Sequence, residues 1–584
     1  MCGIAGVIHG GRDADSQARA LIEPLQHRGP DGVRVERAGE AVLAHARLSI
    51  IDLECGWQPL TAAGSTVIGN GEIYNYKELI EEFQLHDQLK TGSDFEPLLH
   101  LYAHEGERAF ERLRGMYAFC LVGHDGRTWL VRDPFGIKPL YAGVGADPDP
   151  NGDWIFASEI RSMLARPLAP PTDLLSPERV AETLALGYAV GRYSVWYETE
   201  RARPGAVLEV TGGWIRPSPS RLQAIPPAAP PPASEHEALA ALDRVLEDSV
   251  RVHQRSDVPY GLFLSGGIDS AAIATLMARL NERPVTAYTC GFDAPGARDE
   301  RAAAERVARA LDLDWRETRF GEEDFWRVLP EVAWALDDPT TDYATLPTYK
   351  LAEAARGTLT VVLTGEGGDE LFGGYGRYRR SLRPRLLGGR PAQPQIDAPF
   401  LQDGGADALE HWREEAQPPV GLTRLQQAQY ADIVTWLPND LLLKLDRCLM
   451  AHGLEGRTPF LDREVAAFAF HLPDRMKIRG RYGKWILRKW LERHCPAAEP
   501  WAKKKGFTVP VAAWIAPRAA DLATTIGRHE GLAQVCDMER VRAVFTDDSQ
   551  AHNRWPLLFY AVWWNIHVAG MSRHEAAAAA GAAA

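Results

Sequence analysis

Residues 258–270 read VPYGLFLSGGIDS. An apolar run over 260–264 ends in Ser265, Gly266 and Gly267, and Asp269 and Ser270 then open an alanine-rich helical stretch. Strand, glycine-rich turn and helix start is the arrangement that points free backbone N–H groups at an anion. The glycines admit a phosphate close to the main chain, and the hydroxyls of Ser265 and Ser270 add donors. A carboxylate such as Asp269 suits that place when a metal ion sits between it and the phosphates. No Gly-Lys-Ser/Thr follows, so this is not the Walker pattern, nor is it G-x-G-x-x-G. Two glycines alone would read as an ordinary tight turn. The whole string after an apolar strand points instead to the pyrophosphate part of ATP. A second such stretch, LTVVLTGEGGDELFGGY at 359–375, sets Thr364, Gly365, Glu366 and Asp369 just past another apolar run. In open α/β sheets ligands bind outside the carboxyl ends of strands, so the two loops are expected to face one site that holds Mg²⁺.

The other reactive candidate is Cys2. Removal of the initiator methionine would leave a cysteine with both a thiol and a free α-amine. With a pKa of about 7.7–8, that amine can serve as general base for its own side chain. A lone cysteine at this position is otherwise an incidental small apolar residue. Here it heads a strand-like CGIAGVI, followed by the polar clusters HRGPD (27–31), ARLSIID (46–52), NGEIYN (70–75) and TGSDFE (91–96). Each alone could be a turn. Together they supply what a free amino acid needs. Arg47 can clamp an α-carboxylate, and Glu72 and Asp94 can hold an α-ammonium. The Asn70 amide and the Gly71 N–H can stabilise an oxyanion. The pieces fit hydrolysis of an amino acid amide through a cysteine thioester.

These groups need elements to position them. Ser234 to Glu237 is a capping-box start, after which Leu239, Leu242, Leu246 and Val250 share one helical face. Beyond the first phosphate loop the chain alternates strand (285–290), charged amphipathic helix (299–311) and a short extended piece near Trp315. That alternation predicts a parallel sheet with helices on both faces. Residues 218–234 are proline-rich and read as a semi-rigid linker. The alternating apolar and charged residues of KLDRCLMAHGLEGRTPFLD (444–462) say only that it packs, near the domain junction. WAKKKGFTVPV (501–511) is either a basic lid or a solvated face, and 576–584 is alanine-rich and expected to fray.

With 584 residues, two to four domains are expected. A net charge of −13 argues against nonspecific nucleic-acid binding. No apolar run approaches the roughly 18 residues of a membrane span. The start of the chain lacks the basic residues of a signal peptide, and seven scattered cysteines suit a reducing cytosol. The expected location is therefore cytoplasmic, with no nucleic-acid or membrane partner.

From Cys2 to about Lys505 the chain resembles the glutamine-dependent asparagine synthetases. The resemblance implies a mixed α+β and α/β chain: an N-terminal nucleophile-hydrolase αββα sandwich acting as glutaminase, then a parallel-sheet α/β ATP pyrophosphatase domain. The implied division is 2–210 glutaminase, 211–234 linker, 235–575 synthetase and 576–584 tail. Cys2 matches the nucleophile. Arg47, Leu48, Ser49, Ile50 and Ile51, Asn70, Gly71 and Glu72, and Asp94 match glutamine contacts, and Asn70 with Gly71 the oxyanion hole. Residues 265–270 match the pyrophosphate loop, and Asp269 and Asp369 the Mg²⁺ ligands. Leu264, Cys290, Thr364 and Gly365 match nucleotide contacts. Glu366 matches the acid used in forming and consuming the acyl-adenylate. Lys484, in RYGKWILRKWL (481–491), matches the lysine that neutralises departing pyrophosphate, where otherwise it would be a solvated helix cation. A homodimer is compatible with the resemblance.

The expected reaction converts glutamine, ATP and a carboxylate, aspartate first, into glutamate, AMP, diphosphate and an amide, with ammonia passing between the sites. Tyr343, in DDPTTDYATLP (337–347), stands about where asparagine synthetases carry an arginine suited to aspartate. The alternatives are amidation of another carboxylate, in a cell-wall or secondary-metabolite precursor, and a non-catalytic amino-acid-binding role. Relatives that close β-lactam rings lack the cysteine that stands here at position 2.

Overall fold

The computed structural model describes residues 2–11, 13–144, 153–165, 171–197, 199–211, 214–218, 220–227, 232–294, 300–384, 386, 388–503 and 509–582. The first part holds two six-stranded sheets. One runs, in order across it, through Glu200–Arg201, Tyr141–Val144, Trp154–Ala157, Gly3–Ile8, Ala41–Arg47 and Gly32–Ala38. The other runs through Trp214–Pro217, Val207–Thr211, Thr128–Arg132, Gly115–Val122, Ser65–Ile73 and Leu60–Ala62. Neighbouring strands pair antiparallel, for example Gly3 with Ala46 and Asn70 with Ala118.

Strand alternation explains the layers. Ile4, Ile8, Leu43, Ile68, Cys120 and Phe156 point between the sheets and form one apolar cluster. Ala5, Val7, Ala44 and Ala46 take the outer face of the first sheet and pack with the helix Ala14–Ile22. Val67, Phe119 and Leu121 take the outer face of the second, against the helix Glu96–Glu105. This is an αββα sandwich, and Cys2 stands at the mouth of its central strand.

The second part is built on a five-stranded sheet in the order Asp314–Phe320, Thr286–Phe292, Tyr260–Phe263, Val361–Leu363, Glu455–Arg457, with every pair parallel. It is buried on both faces, as parallel sheets are. Val361 and Leu363 point into the cluster with the helices Glu235–His253 and Ile268–Leu280, and Val362 into the cluster on the opposite side. The expected helix start at Ser234 is present, with its hydroxyl accepting from the Glu237 N–H at 3.2 Å. The Glu237 carboxylate reaches back to the N–H of Ala233 (3.0 Å), one residue earlier than a capping box requires.

The stretch 444–462 packs at the boundary between the halves, as expected. It supplies the buried helix Leu442–Met450 and the edge strand Glu455–Arg457. The expectation that the alanine-rich end frays is corrected for 576–582. The helix Arg573–Ala579 carries a full capping box at Ser572 and Glu575, and Ala576, Ala577, Ala580 and Ala582 are buried. It lies in the same apolar cluster as the helix Arg554–His567. Within the anticipated lid, 504–508 lie outside the described residues. No helix among the described residues is long and apolar enough to cross a membrane.

Candidate active sites

The strand Gly3–Ile8 delivers Cys2 to Asn70 on the facing sheet, where the Asn70 Oδ1 accepts from the Cys2 nitrogen at 3.2 Å. The Cys2 thiol donates to the Leu48 carbonyl at 3.8 Å, and burial pushes its pKa up. With Oδ1 so engaged, the buried Nδ2 of Asn70 has no hydrogen-bond partner among the described residues and is left as a donor. Gly71 has φ +137°, and a Cβ there would stand 2.0 Å from the Met116 carbonyl oxygen. Only glycine lets the chain turn at this point.

Arg47 is held by the carbonyls of Leu53 (3.3 Å) and Asp52 (2.5 Å) and lies over the Trp57 ring. Ser49 gives its N–H to Asp31 at 2.7 Å, so the Asp31 carboxylate shapes this loop. Leu48 and Ile50 turn their side chains into the apolar cluster that also holds Leu264 and Ala271. Ile51 packs against it part-buried. The Ile50 carbonyl and the Asp52 N–H are tied to Asp257, just before the strand Tyr260–Phe263.

Glu72 and Asp94 come together, both buried. Asp94 accepts from the Ile73 N–H at 2.7 Å, and burial raises its carboxyl to about 7. Burial, and then the charge of Asp94, push Glu72 well above the usual carboxylate range, against the pull of Arg457. Arg457 lies 3.2 Å from Glu72 and comes from the edge strand of the parallel sheet.

At the carboxyl end of that sheet the two glycine-rich loops meet. Tyr260–Phe263 and Val361–Leu363 are neighbours, so residues 264–270 and 364–369 leave side by side. The Ser265 and Ser270 hydroxyls lie 2.9 Å apart, and Gly267 donates its N–H to Ser265 Oγ at 3.1 Å. The Gly266 N–H already faces an anion, the Glu300 carboxylate, at 3.3 Å. Lys484, at φ +55° on the start of the helix Trp485–His494, reaches both aspartates. Its Nζ hydrogen-bonds Asp269 and stands 2.8 Å from Asp369. Burial works against its charge, but the two carboxylates more than offset that and raise its pKa. This convergence depends on close backbone approach. A Cβ on Gly374 would stand 1.7 Å from the Asp369 carboxylate oxygen, and one on Gly368 would stand 2.6 Å from that of Asp269.

Two hard-oxygen carboxylates converging on one cation position, beside a loop suited to phosphate, form a donor set that fits Mg²⁺. That ion usually takes one or two protein carboxylates and completes its shell with water and substrate oxygens. Among the described residues no cluster of three or more ligating side chains accompanies them. Thr364 donates its N–H to the Arg457 carbonyl at 2.8 Å, beside Gly365. Cys290 turns its thiol into the apolar cluster with Phe292 and Phe320, where burial lifts its pKa to about 12. Leu264, whose N–H donates to the Tyr288 carbonyl at 2.9 Å, is buried in the opposite cluster.

Glu366 makes no hydrogen bond to a described side chain. Burial raises its carboxyl, Lys444 pulls it down, and Asp342, Asp369 and Asp269 raise it further. Lys444 pairs with Asp342 at 2.8 Å. Next to Asp342, Tyr343 is 37% exposed. The segment 336–341 is buttressed from behind, where Trp563 and Trp555 donate their indole N–H groups to the carbonyls of Leu336 (2.7 Å) and Thr341 (2.6 Å).

Sequence reasoning missed Lys444, Asp342, Arg28, Asp446 and Arg457. A lysine, an aspartate and an arginine inside the otherwise apolar LLLKLDRCLM were the available signal. All three are buried rather than solvated.

The fold and the paired sites define a glutamine amidotransferase joined to a nucleotide-dependent synthetase, and the comparisons agree. Residues 1–219 match the glutamine amidotransferase domain model, and residues 241–567 match the asparagine synthase model. The chain is 30% identical to asparagine synthetase [glutamine-hydrolyzing] 1 of Bacillus subtilis, over 97% of each protein. It is 30% identical to asparagine synthetase B [glutamine-hydrolyzing] of Escherichia coli, over 88% of this chain and 83% of that one. It is also 30% identical to asparagine synthetase [glutamine-hydrolyzing] of Sandersonia aurantiaca, over 84% and 82%. The chain belongs to the glutamine-hydrolysing asparagine synthetase family. It is a carbon–nitrogen ligase that takes its nitrogen from glutamine.

Proposed function

We propose that the protein makes asparagine from aspartate, glutamine, ATP and water, releasing glutamate, AMP and diphosphate, in the cytoplasm. We divide it into a glutaminase over 2–210, to which Trp214–Pro217 adds an edge strand, a linker over the rest of 211–234 and a synthetase over 235–575. In the first half the Cys2 amine takes the thiol proton and the thiolate attacks the side-chain amide carbon of glutamine. The tetrahedral oxyanion is met by Asn70 Nδ2 and the Gly71 N–H. The C–N bond breaks, the proton leaves with ammonia, and water hydrolyses the thioester to glutamate. Arg47 holds the glutamine carboxylate, and Asp94 with Glu72 its ammonium.

In the second half a carboxylate oxygen of the acceptor attacks the α-phosphorus of ATP and the bond to the β-phosphate bridging oxygen breaks. The loop 265–270 and Lys484 hold the departing diphosphate. Asp269 and Asp369 would hold Mg²⁺, which when bound neutralises phosphate charge. Ammonia then attacks the acyl carbon, with Glu366 positioned to take a proton, and AMP leaves. Adenylation is needed because a free carboxylate is a poor acyl donor. The observation that carries this reading is the meeting of Lys484 with Asp269 and Asp369 between two glycine-rich loops, in the chain that also joins Cys2 to Asn70.

One observation favours a second acceptor. The half-exposed Tyr343 offers an aromatic face and a hydroxyl where an arginine would suit aspartate, and the nearest cation, Lys444, is already paired with Asp342. A larger carboxylate is the alternative. Incubation with glutamine, ATP, Mg²⁺ and a panel of carboxylates, following AMP and amide, decides between them. Amide from aspartate supports asparagine synthesis, and turnover of another acid with none of aspartate refutes it.

A further inference from the structure

Once Met1 is removed, Cys2 has no preceding peptide to orient it. Cys2 is aimed by the strand that follows and by whatever grips its nitrogen and its carbonyl. Asn70 takes the nitrogen. The carbonyl is taken by Arg28, whose Nε donates to it at 3.3 Å.

Arg28 closes the turn Glu23–Arg28 and is fully buried. Its Nη1 donates to Glu159 at 2.7 Å, within the glutaminase half. The outer edge of the fork is bidentate on Asp446, at 2.8 and 3.1 Å. Asp446 belongs to the helix Leu442–Met450 of the synthetase half. It is also contacted by Arg447 at 3.1 Å, and Arg447 in turn is bound to Asp337 at 2.8 Å. Two residues earlier on the same helix, Lys444 pairs with Asp342 beside Tyr343. A guanidinium is a rigid plane with donors in fixed directions. Where Asp446 places one edge of that plane therefore decides where the Nε edge meets the Cys2 carbonyl.

We infer that Asp446 is a positioning residue for the glutaminase nucleophile, acting through Arg28, so that the glutaminase site is completed by a helix of the synthetase half. This rests on the reading of Cys2 as nucleophile. A contact that merely glued the halves together would, when weakened, cost both activities alike. A positioning contact costs the rate of glutamine hydrolysis and spares the rest. Misplacement of a reacting group by about 1 Å is worth up to roughly 10²-fold in rate.

The test is Asp446→Asn in the full chain, with Arg28→Lys as a second variant that keeps the buried cation but loses the fork. Both are expected to lower kcat for glutamine hydrolysis by roughly tenfold or more, with KM for glutamine within about twofold. Amide synthesis from ammonium chloride should stay within about twofold. The Arg28→Lys/Asp446→Asn double variant should be no slower than the worse single one, because both break the same link. Unchanged hydrolysis in a folded Asp446→Asn protein overturns the inference, as do additive effects or a parallel fall in ammonium-dependent synthesis. A Cys2→Ala control that still hydrolyses glutamine overturns the nucleophile assignment, and this inference with it.

Discussion

Glu72 and Arg457 lie 3.2 Å apart across the boundary between the two halves, and Arg457 gives its carbonyl to the Thr364 N–H at 2.8 Å. One residue thus meets Glu72 of the first half with its side chain and braces the loop after Val361–Leu363 with its main chain. The guanidinium also pairs with Glu455 and bonds the carbonyls of His253 and Arg255. Arg457→Leu would strand Glu455 as a buried charge, a loss of about 3–5 kcal/mol for a broken buried pair. A lower melting temperature, with loss of glutamine hydrolysis, is expected. An unchanged melting temperature would show that the pair carries no stability.

Cys2→Ala removes the thiol that stands beside Asn70 and the Leu48 carbonyl. Synthesis from glutamine should vanish while synthesis from ammonium salts persists, since Cys2 is bonded by Asn70, Leu48 and Arg28, all of the first half. Assaying the amide with each nitrogen donor separates the two. Loss of both in a folded protein would show that the sites are not separate.

Lys484→Met removes the lysine that joins Asp269 and Asp369. Amide synthesis with either donor should fall by roughly 10²-fold or more, the scale for losing a donor aimed at developing charge. Glutamine hydrolysis should remain. Acceptor-dependent exchange of labelled diphosphate into ATP reads the adenylation step directly. If exchange survives, Lys484 acts elsewhere.

Much of this was legible because backbone geometry drives it. A phosphate loop must follow an apolar strand, and the strand Tyr260–Phe263 does stand centrally, with Val361–Leu363 beside it. Local strings therefore matched where the chain sets both loops, at the carboxyl end of one sheet, and Cys2, beside Asn70. What stayed hidden depends on partners far apart in the chain. Arg28 and Asp446 are 418 residues apart, and nothing near either one announces the other. The string LLLKLDRCLM shows that it packs, but its charges find their partners at Asp342, Arg28 and Asp337, far away in the chain. The helix Arg554–His567 is buried almost all round, so it has no polar stripe to betray its orientation. The alanine-rich end looked soft by composition, yet its cap and a waiting apolar surface order it.

Asp94 titrates near 7 because it is buried. If its carboxylate holds the ammonium of glutamine, the pocket is charged for that task only above about 7. The kcat/KM for glutamine hydrolysis, which reports groups of the free enzyme, should therefore rise as pH increases through that value. Asp94→Asn should be slow throughout and keep only the limb of the Cys2 amine, at about 7.7–8. A wild-type profile flat from pH 6 to 8 (roughly a unit either side of a group tuned to neutrality) would place the ammonium elsewhere.

Lys444 faces three carboxylates, Asp342, Glu366 and Asp440, and their charges hold it protonated above its usual range despite its burial. In return it pulls Glu366 downward, while burial and the neighbouring aspartates push that carboxyl up. Lys444→Met removes the pull, so Glu366 should keep its proton to higher pH. If Glu366 acts as a base, the acid limb of synthesis must move upward. Ammonia itself titrates, so the limb is best read with glutamine as donor, over a range where hydrolysis is not limiting. Asp440 is already lifted to about 7 by burial, and then by Asp342. It would lose the same partner and rise with Glu366. Glu366→Gln distinguishes the two, because a limb that belongs to Asp440 survives in that variant and one that belongs to Glu366 does not. A profile unmoved by Lys444→Met would mean that ionisation of Glu366 does not limit the reaction.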